Sequence, residues 1–329
     1  MKRREFITLV GGAAAVWPFV ARAQQIGKVW RVGALSGAAR PAALETSPYG
    51  GFAQGMKELG YVEGRDFIVE WRFAEAKAGR YAEFATELSQ LKVDIFLAAA
   101  PEAVRYLQKV GPQTPIVLAL STNPVGNGFA ASLAQPGGNI TGLANSLDDT
   151  APKQLELLME AVPNLSRLGV LASSISPNYA SVAKNVVAAS KAKGLNVVMA
   201  DVRAADEFDG AFALLLRENV QAILLASNVL FNLNRQRIAD FAAKNRLPSM
   251  FGVREYVEVG GLMSYGETFR EFYRRSASYV DRIIKGAKAG DLPIEQPSRF
   301  YFTISLKAAK IIGLELPASL LLRADEVIE

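Results

Sequence analysis

Val93-Asp94-Ile95-Phe96-Leu97-Ala98-Ala99-Ala100-Pro101-Glu102 carries the organisation of the chain in miniature. A short, β-prone apolar run over 93–98 ends in small residues and leads into a helical pattern that begins at Pro101, a favoured first helical position. The same unit recurs on both sides. Upstream lie a strand over 30–35, a Gly- and Ala-rich loop, a helix over 48–59 stopped by Gly60, a strand over 66–72 and a helix over 80–91. Downstream come a strand over 115–120, a helix from Pro124 and a strand over 140–144. The pattern then restarts, with strands over 167–172, 196–200, 222–226, 248–251 and 261–264 and helices over 152–161, 178–193, 206–219, 230–245 and 267–285. A Pro-rich link (Pro293, Pro297) leads to a strand over 300–304 and a helix over 306–312. Alternating strand–helix units with continuous apolar strands predict α/β architecture, parallel sheets covered by helices on both faces. Some ten strands fit two sheets better than one.

Composition narrows the chemistry. The 329 residues are 50% hydrophobic and 21% charged, enough for one large core or two medium ones. With no cysteine there is no disulfide, thiolate nucleophile or Cys-ligated metal. With no histidine the commonest general base and metal ligand are missing, which tilts the expectation toward binding rather than catalysis. Of the net charge of +5, residues 1–23 contribute +3, from Lys2, Arg3, Arg4 and Arg22 against Glu5. The remaining +2 is no footprint for nucleic acid.

Residues 1–23 read as an export signal, with a basic start, an apolar run over 7–20 and an Ala21-Arg22-Ala23 cleavage site. Arg3-Arg4-Glu5-Phe6-Ile7 resembles the twin-arginine motif, and the expected location is the periplasm. No later stretch approaches 18 uninterrupted apolar residues, so no membrane span is expected after the signal.

In parallel sheets, ligands bind beyond the carboxyl ends of the strands, among loops and helix N-termini. Those ends are rich in small polar residues, and the candidate ligand-binding positions are Ser36, Ala100, Thr122, Asn123, Ser174, Asn178, Ser227, Asn228 and Tyr265. Glu255, beyond another strand end, is a candidate to accept an ammonium group; a surface helix position is the bland alternative. Phe231, Tyr179 and Tyr265 are candidates to pack on an apolar part of a ligand. Gly126-Asn127-Gly128-Phe129-Ala130-Ala131 fits G-x-G-x-x-A, but Pro124 and Val125 separate it from the strand, so its glycines are expected inside a helix, not in a nucleotide-binding turn. Asp148-Asp149 reads better as charge near a helix N-terminus than as a metal site. No metal, cofactor or catalytic residue is expected.

Four segments, Gly60-Tyr61-Val62-Glu63-Gly64-Arg65, Pro136-Gly137-Gly138-Asn139-Ile140-Thr141-Gly142, Gly260-Gly261-Leu262-Met263-Ser264-Tyr265-Gly266 and Leu292-Pro293-Ile294-Glu295-Gln296-Pro297, together with the tail from Leu316 to Glu326, resemble the ABC-transporter substrate-binding family related to the tryptophan/tyrosine-binding periplasmic proteins. The resemblance implies a type I periplasmic-binding-protein fold: two Rossmann-like lobes, three crossing segments near 145–149, 265–268 and 296–301, and a ligand cleft between them. One lobe would comprise 24–146 with about 267–297, the other 147–266 with about 298–329. It also implies a receptor that captures a small organic ligand, amino acid-like in the family, by lobe closure and presents it to a membrane permease; the chain is expected to be a monomer. The family's small polar loop after the third strand falls on Ala99-Ala100-Pro101-Glu102, losing a hydroxyl and gaining a charge; acids of the family pattern that would hold an amine become Asn123 and Asn228, so a ligand lacking the amine, an aromatic or small carboxylate, is an expectation beside an amino acid-like one. Two alternatives stay open: a periplasmic sensor for a signalling receptor, and an exported carboxylate-dependent enzyme.

Overall fold

The computed structural model describes residues 28–145, 150–176, 179–226, 228–296 and 299–329. In the first half, β1 (Trp30–Ser36), α1 (Gly50–Glu58), β2 (Phe67–Phe73), α2 (Ala78–Gln90), β3 (Ile95–Ala98), α3 (Pro101–Val110), β4 (Ile116–Thr122) and β5 (Ile140–Asn145) follow one another. The second half runs α4 (Ala151–Ala161), β6 (Arg167–Ala172), α5 (Tyr179–Ala192), β7 (Asn196–Asp201), α6 (Phe208–Arg217), β8 (Ala222–Leu225), α7 (Val229–Leu233), α8 (Arg235–Lys244), β9 (Ser249–Phe251), α9 (Glu255–Glu258) and β10 (Met263–Gly266). It is followed by α10 (Phe269–Ile284), β11 (Ile294–Glu295), β12 (Tyr301–Ser305), α11 (Leu306–Ile312), α12 (Ala318–Arg323) and β13 (Glu326–Ile328).

Among the described residues these strands form two sheets, ordered β11-β5-β4-β3-β1-β2 and β13-β12-β10-β9-β8-β6-β7. Both contain the doubly wound order 2-1-3-4-5, and only β12 runs antiparallel to a neighbour, β10. The chain therefore passes between sheets three times, after β5, after β10 and after β11. Each sheet is covered on both faces. Val32 and Ala34 of β1 join Phe52 and Met56 of α1 and Phe272, Tyr279 and Val280 of α10, while Leu35 faces the opposite side with residues of α2 and α3. The second sheet is sandwiched likewise, between α4, α5 and α11 on one face and α6 and α8 on the other. The expectation of α/β lobes built from parallel sheets is met.

Some expectations fail for local reasons. The helix expected from Pro124 is absent; turns follow β4 instead. Asn123 adopts φ +45°, and its Oδ1 accepts the Gly126 N–H at 2.9 Å, an arrangement that competes with a helix start. The glycine motif at 126–131 therefore lies in turns rather than inside a helix. The helix expected over 230–245 is two helices, broken at Asn234, whose Nδ2 donates to the Leu230 carbonyl at 2.8 Å. The export signal and Asp148-Asp149 lie outside the described residues. Among the described residues no helix is long and apolar enough to cross a membrane.

Candidate functional site

A doubly wound sheet splits open where strand order reverses, beside β1 and β3 in the first sheet and β6 and β8 in the second. The segments leaving β3, β6 and β8 and the ends of β4 and β5 meet across a cleft of about 210 Å³. Tyr81, Ala99, Pro101, Glu102, Thr122 and Asn145 line it from the first lobe; Ser173, Ile175, Ser176, Asn228 and Leu230 line it from the second, with Phe269 at the start of α10.

The cleft's polar atoms are short of partners. Asn228 caps α7: its Oδ1 accepts the Phe231 N–H at 2.9 Å, which fixes the amide's orientation and leaves Nδ2 buried without a partner among the described residues. Ser173 Oγ and Asn145 Oδ1 are also buried and without partners among the described residues. A buried, unmatched polar group costs about 1–3 kcal/mol. Here an acceptor stands on the first lobe, opposite an N–H donor and a hydroxyl on the second. A small molecule with its own donor and acceptor would satisfy all three.

The sequence candidates fall on both sides of this boundary. Thr122 and Asn228 line the cleft. Ala100 does not: its backbone is extended, so it alternates with Ala99 and Pro101 and packs, 2% exposed, into the core. Asn123 uses its side chain on its own turn. Ser174 is held by Asp201, which accepts both its N–H and its hydroxyl at 2.7 Å, and the neighbouring Ser173 faces the cleft instead. The Ser36 hydroxyl lies 3.0 Å from that of Tyr49 and accepts the Ala38 N–H at 3.2 Å, so it organises the first loop. Glu255 lies in a separate groove with Thr46, Arg254 and Arg299, where it accepts the Phe269 N–H at 3.1 Å; burial pushes its carboxyl up to about 7. Tyr265 is not in the lining: its carbonyl accepts from Gln154 at 3.0 Å and its ring lies beside Phe300. Phe231 is fully buried against Phe208, and Tyr179 is not part of the lining; Leu120, Ile175, Leu230 and Phe269 supply the apolar surface. Asn178 and Ser227 lie outside the described residues. Sequence reasoning missed Asn145, Ser173 and Tyr81 as site residues, although the first two immediately end or follow strands, where the loop rule points.

The sequence profile of the ABC transporter substrate-binding protein family matches residues 39–328. The chain belongs to that family. This substrate-binding protein is 20% identical over 244 residues to the tyrosine-binding protein of Clostridioides difficile, covering 74% of this chain and 70% of the relative. Its fold superposes with a TM-score of 0.82 on an ABC domain from Streptococcus pneumonia solved in complex with L-Trp, at 25% identity over 92% of this chain and all of the other. A ligand-free, open substrate-binding protein with adhesive properties from Clostridium difficile gives 0.68 at 19% identity, covering 91% of this chain and 99% of the other. The fold is that of type I periplasmic binding proteins, and the family is a class of binding proteins rather than of enzymes.

Proposed function

We propose that the chain is the solute receptor of an ABC importer, exported by residues 1–23 and working in the periplasm beside a membrane permease. Its lobes would be 24–146 with about 267–297 and 147–266 with about 298–329, closing on a small organic ligand about the three crossings. The observation that carries this reading is the set of buried polar atoms, without partners among the described residues, on opposite walls of one cleft: Asn145 Oδ1 on one side, Ser173 Oγ and Asn228 Nδ2 on the other. A ligand touching both walls is stabilised most when the lobes are closed, so binding and closure are linked. The tyrosine- and tryptophan-binding relatives support a ligand of amino-acid size.

The test starts from the chain beginning at Gln24, unfolded and refolded to strip carried-over ligand. Melting temperature is then screened against amino acids, amines, aromatic acids and small carboxylates. A ligand at 100 times its Kd adds about 2.7 kcal/mol of stability. A shift confined to one chemical class, with the ligand recovered unchanged, supports the receptor. Consumption of the ligand would instead identify an enzyme.

A further inference from the structure

Resting on that reading, we infer that Glu102 sets the charge of the ligand: the cleft takes a protonated amine in preference to a carboxylate of the same shape. Glu102 is the one charged side chain among the described lining residues, and no hydrogen bond or ion pair engages it among the described residues. Arg105, one turn further along α3, lies instead over the ring of Phe129. The cleft thus has an unpaired negative charge and no cationic side chain on its described walls to answer it.

Position matters as much as sign. Glu102 is the second residue of α3, a ten-residue helix whose N-terminus opens on the cleft. A helix N-terminus is ordinarily the place where a ligand anion would be held by free N–H groups and the helix dipole. Here the chain puts its own carboxylate at that end, so an entering carboxylate would meet like charge. An amine meets Glu102 and, on the same lobe, Asn145 Oδ1, which has no partner among the described residues. The field of Glu102 is felt within the site: after burial, it is the next cause holding the Tyr81 hydroxyl above the usual phenol range. The second-lobe groups, Ser173 Oγ and Asn228 Nδ2, are neutral and suit an uncharged acceptor on the ligand.

The experiment uses matched pairs of one body with opposite charge: 2-phenylethylamine with 3-phenylpropanoate, tyramine with 3-(4-hydroxyphenyl)propanoate, and tryptamine with indole-3-propanoate. Affinities are measured by titration calorimetry for the wild type, Glu102→Gln and Glu102→Lys. The wild type should bind the amine of at least one pair about ten- to a hundred-fold more tightly than its carboxylate, the worth of one charge-assisted hydrogen bond. Glu102→Gln should erase that preference and Glu102→Lys reverse it, while ligand-free melting temperatures confirm that both variants fold. A carboxylate that matches its amine in the wild type, a preference that survives in Glu102→Gln, or no binding in any pair overturns the inference. The class-wide melting screen stands apart: a neutral solute or amino acid that binds unchanged there upholds the receptor even when the charge preference fails.

Discussion

Asn228 does two jobs with one side chain, and its two ends can be separated. Its Oδ1 caps α7 and its Nδ2 faces the cleft. Asn228→Asp retains the cap and removes the donor. Melting should therefore stay close to wild type while ligand affinity falls about tenfold, the worth of one good hydrogen bond. Asn228→Ala loses both, so an additional loss of about 1 kcal/mol should appear in urea melts without ligand. Two other side chains make stability depend on pH. Glu267 is 2% exposed, and burial pushes its carboxyl up to about 7 although the Arg275 guanidinium lies 3.2 Å away. Glu255 is pushed up to about 7 for the same reason. Between the ordinary value of 4.5 and about 7, the folded chain holds protons that the unfolded chain has released. Their contribution to stability is complete below pH 4.5 and is lost as the pH rises through 7. Glu267→Gln should flatten this profile, raising the melting temperature more at pH 8 than at pH 5; an equal change at both values would contradict the burial argument.

At the scale of elements, α1 and α10 approach so closely that side chains are excluded. A Cβ at Gly55 would lie 2.2 Å from the carbonyl oxygen of Arg274, and one at Gly51 2.2 Å from that of Arg270. Gly55→Ala gains up to about 1 kcal/mol of helix propensity but forces apart two backbones that cannot repack, at a cost of about 1–3 kcal/mol. Net destabilisation is expected. Gly210→Ala in α6, where a Cβ would meet nothing within 4 Å, should stabilise by about 0.5–1 kcal/mol; chemical denaturation of the two variants separates the effects. Elements with strong apolar runs, such as β1, β3 and β6, were legible from sequence because burial on both faces imposes continuous hydrophobicity. Edge strands β11 and β13 were not, for they have only two and three residues. The missing helix after Asn123 and the break at Asn234 both turn on an Asn side chain competing for backbone groups, a contest that periodicity does not register. The loops of the site were legible too, since strand ends define them. Which side chain faces inward was not: Ser173 points in and Ser174 out because Asp201 captures the latter, and Asp201 belongs to a different strand.

At the scale of the whole molecule, one side chain ties two of the three crossings. Arg275 of α10 reaches Glu267, just past β10, and Glu295 at the end of β11, each at 3.2 Å. Arg275→Met would leave Glu267 buried without its cation. Because burial holds the Glu267 carboxyl up to about 7, this loss should be small at pH 5, where the carboxyl is protonated, and larger at pH 8, where it is ionised; adding Glu267→Gln should remove the difference. Small-angle scattering should show the wild type contracting on ligand addition, as lobe closure requires. In Arg275→Met the ligand-free chain should scatter as a larger particle.

The return of α10 and β11 to the first sheet also fixes the order in which the chain can be assembled as it is made. Phe52, Met56 and Val32 are covered by Phe272, Tyr279 and Val280, which leave the ribosome only after the entire 150–266 segment. A nascent chain that has just completed β5 therefore displays an unprotected oily face. It should bind holdase chaperones until residue 295 has been synthesised, and a fragment ending at Asn145 should remain molten however long it is given to fold.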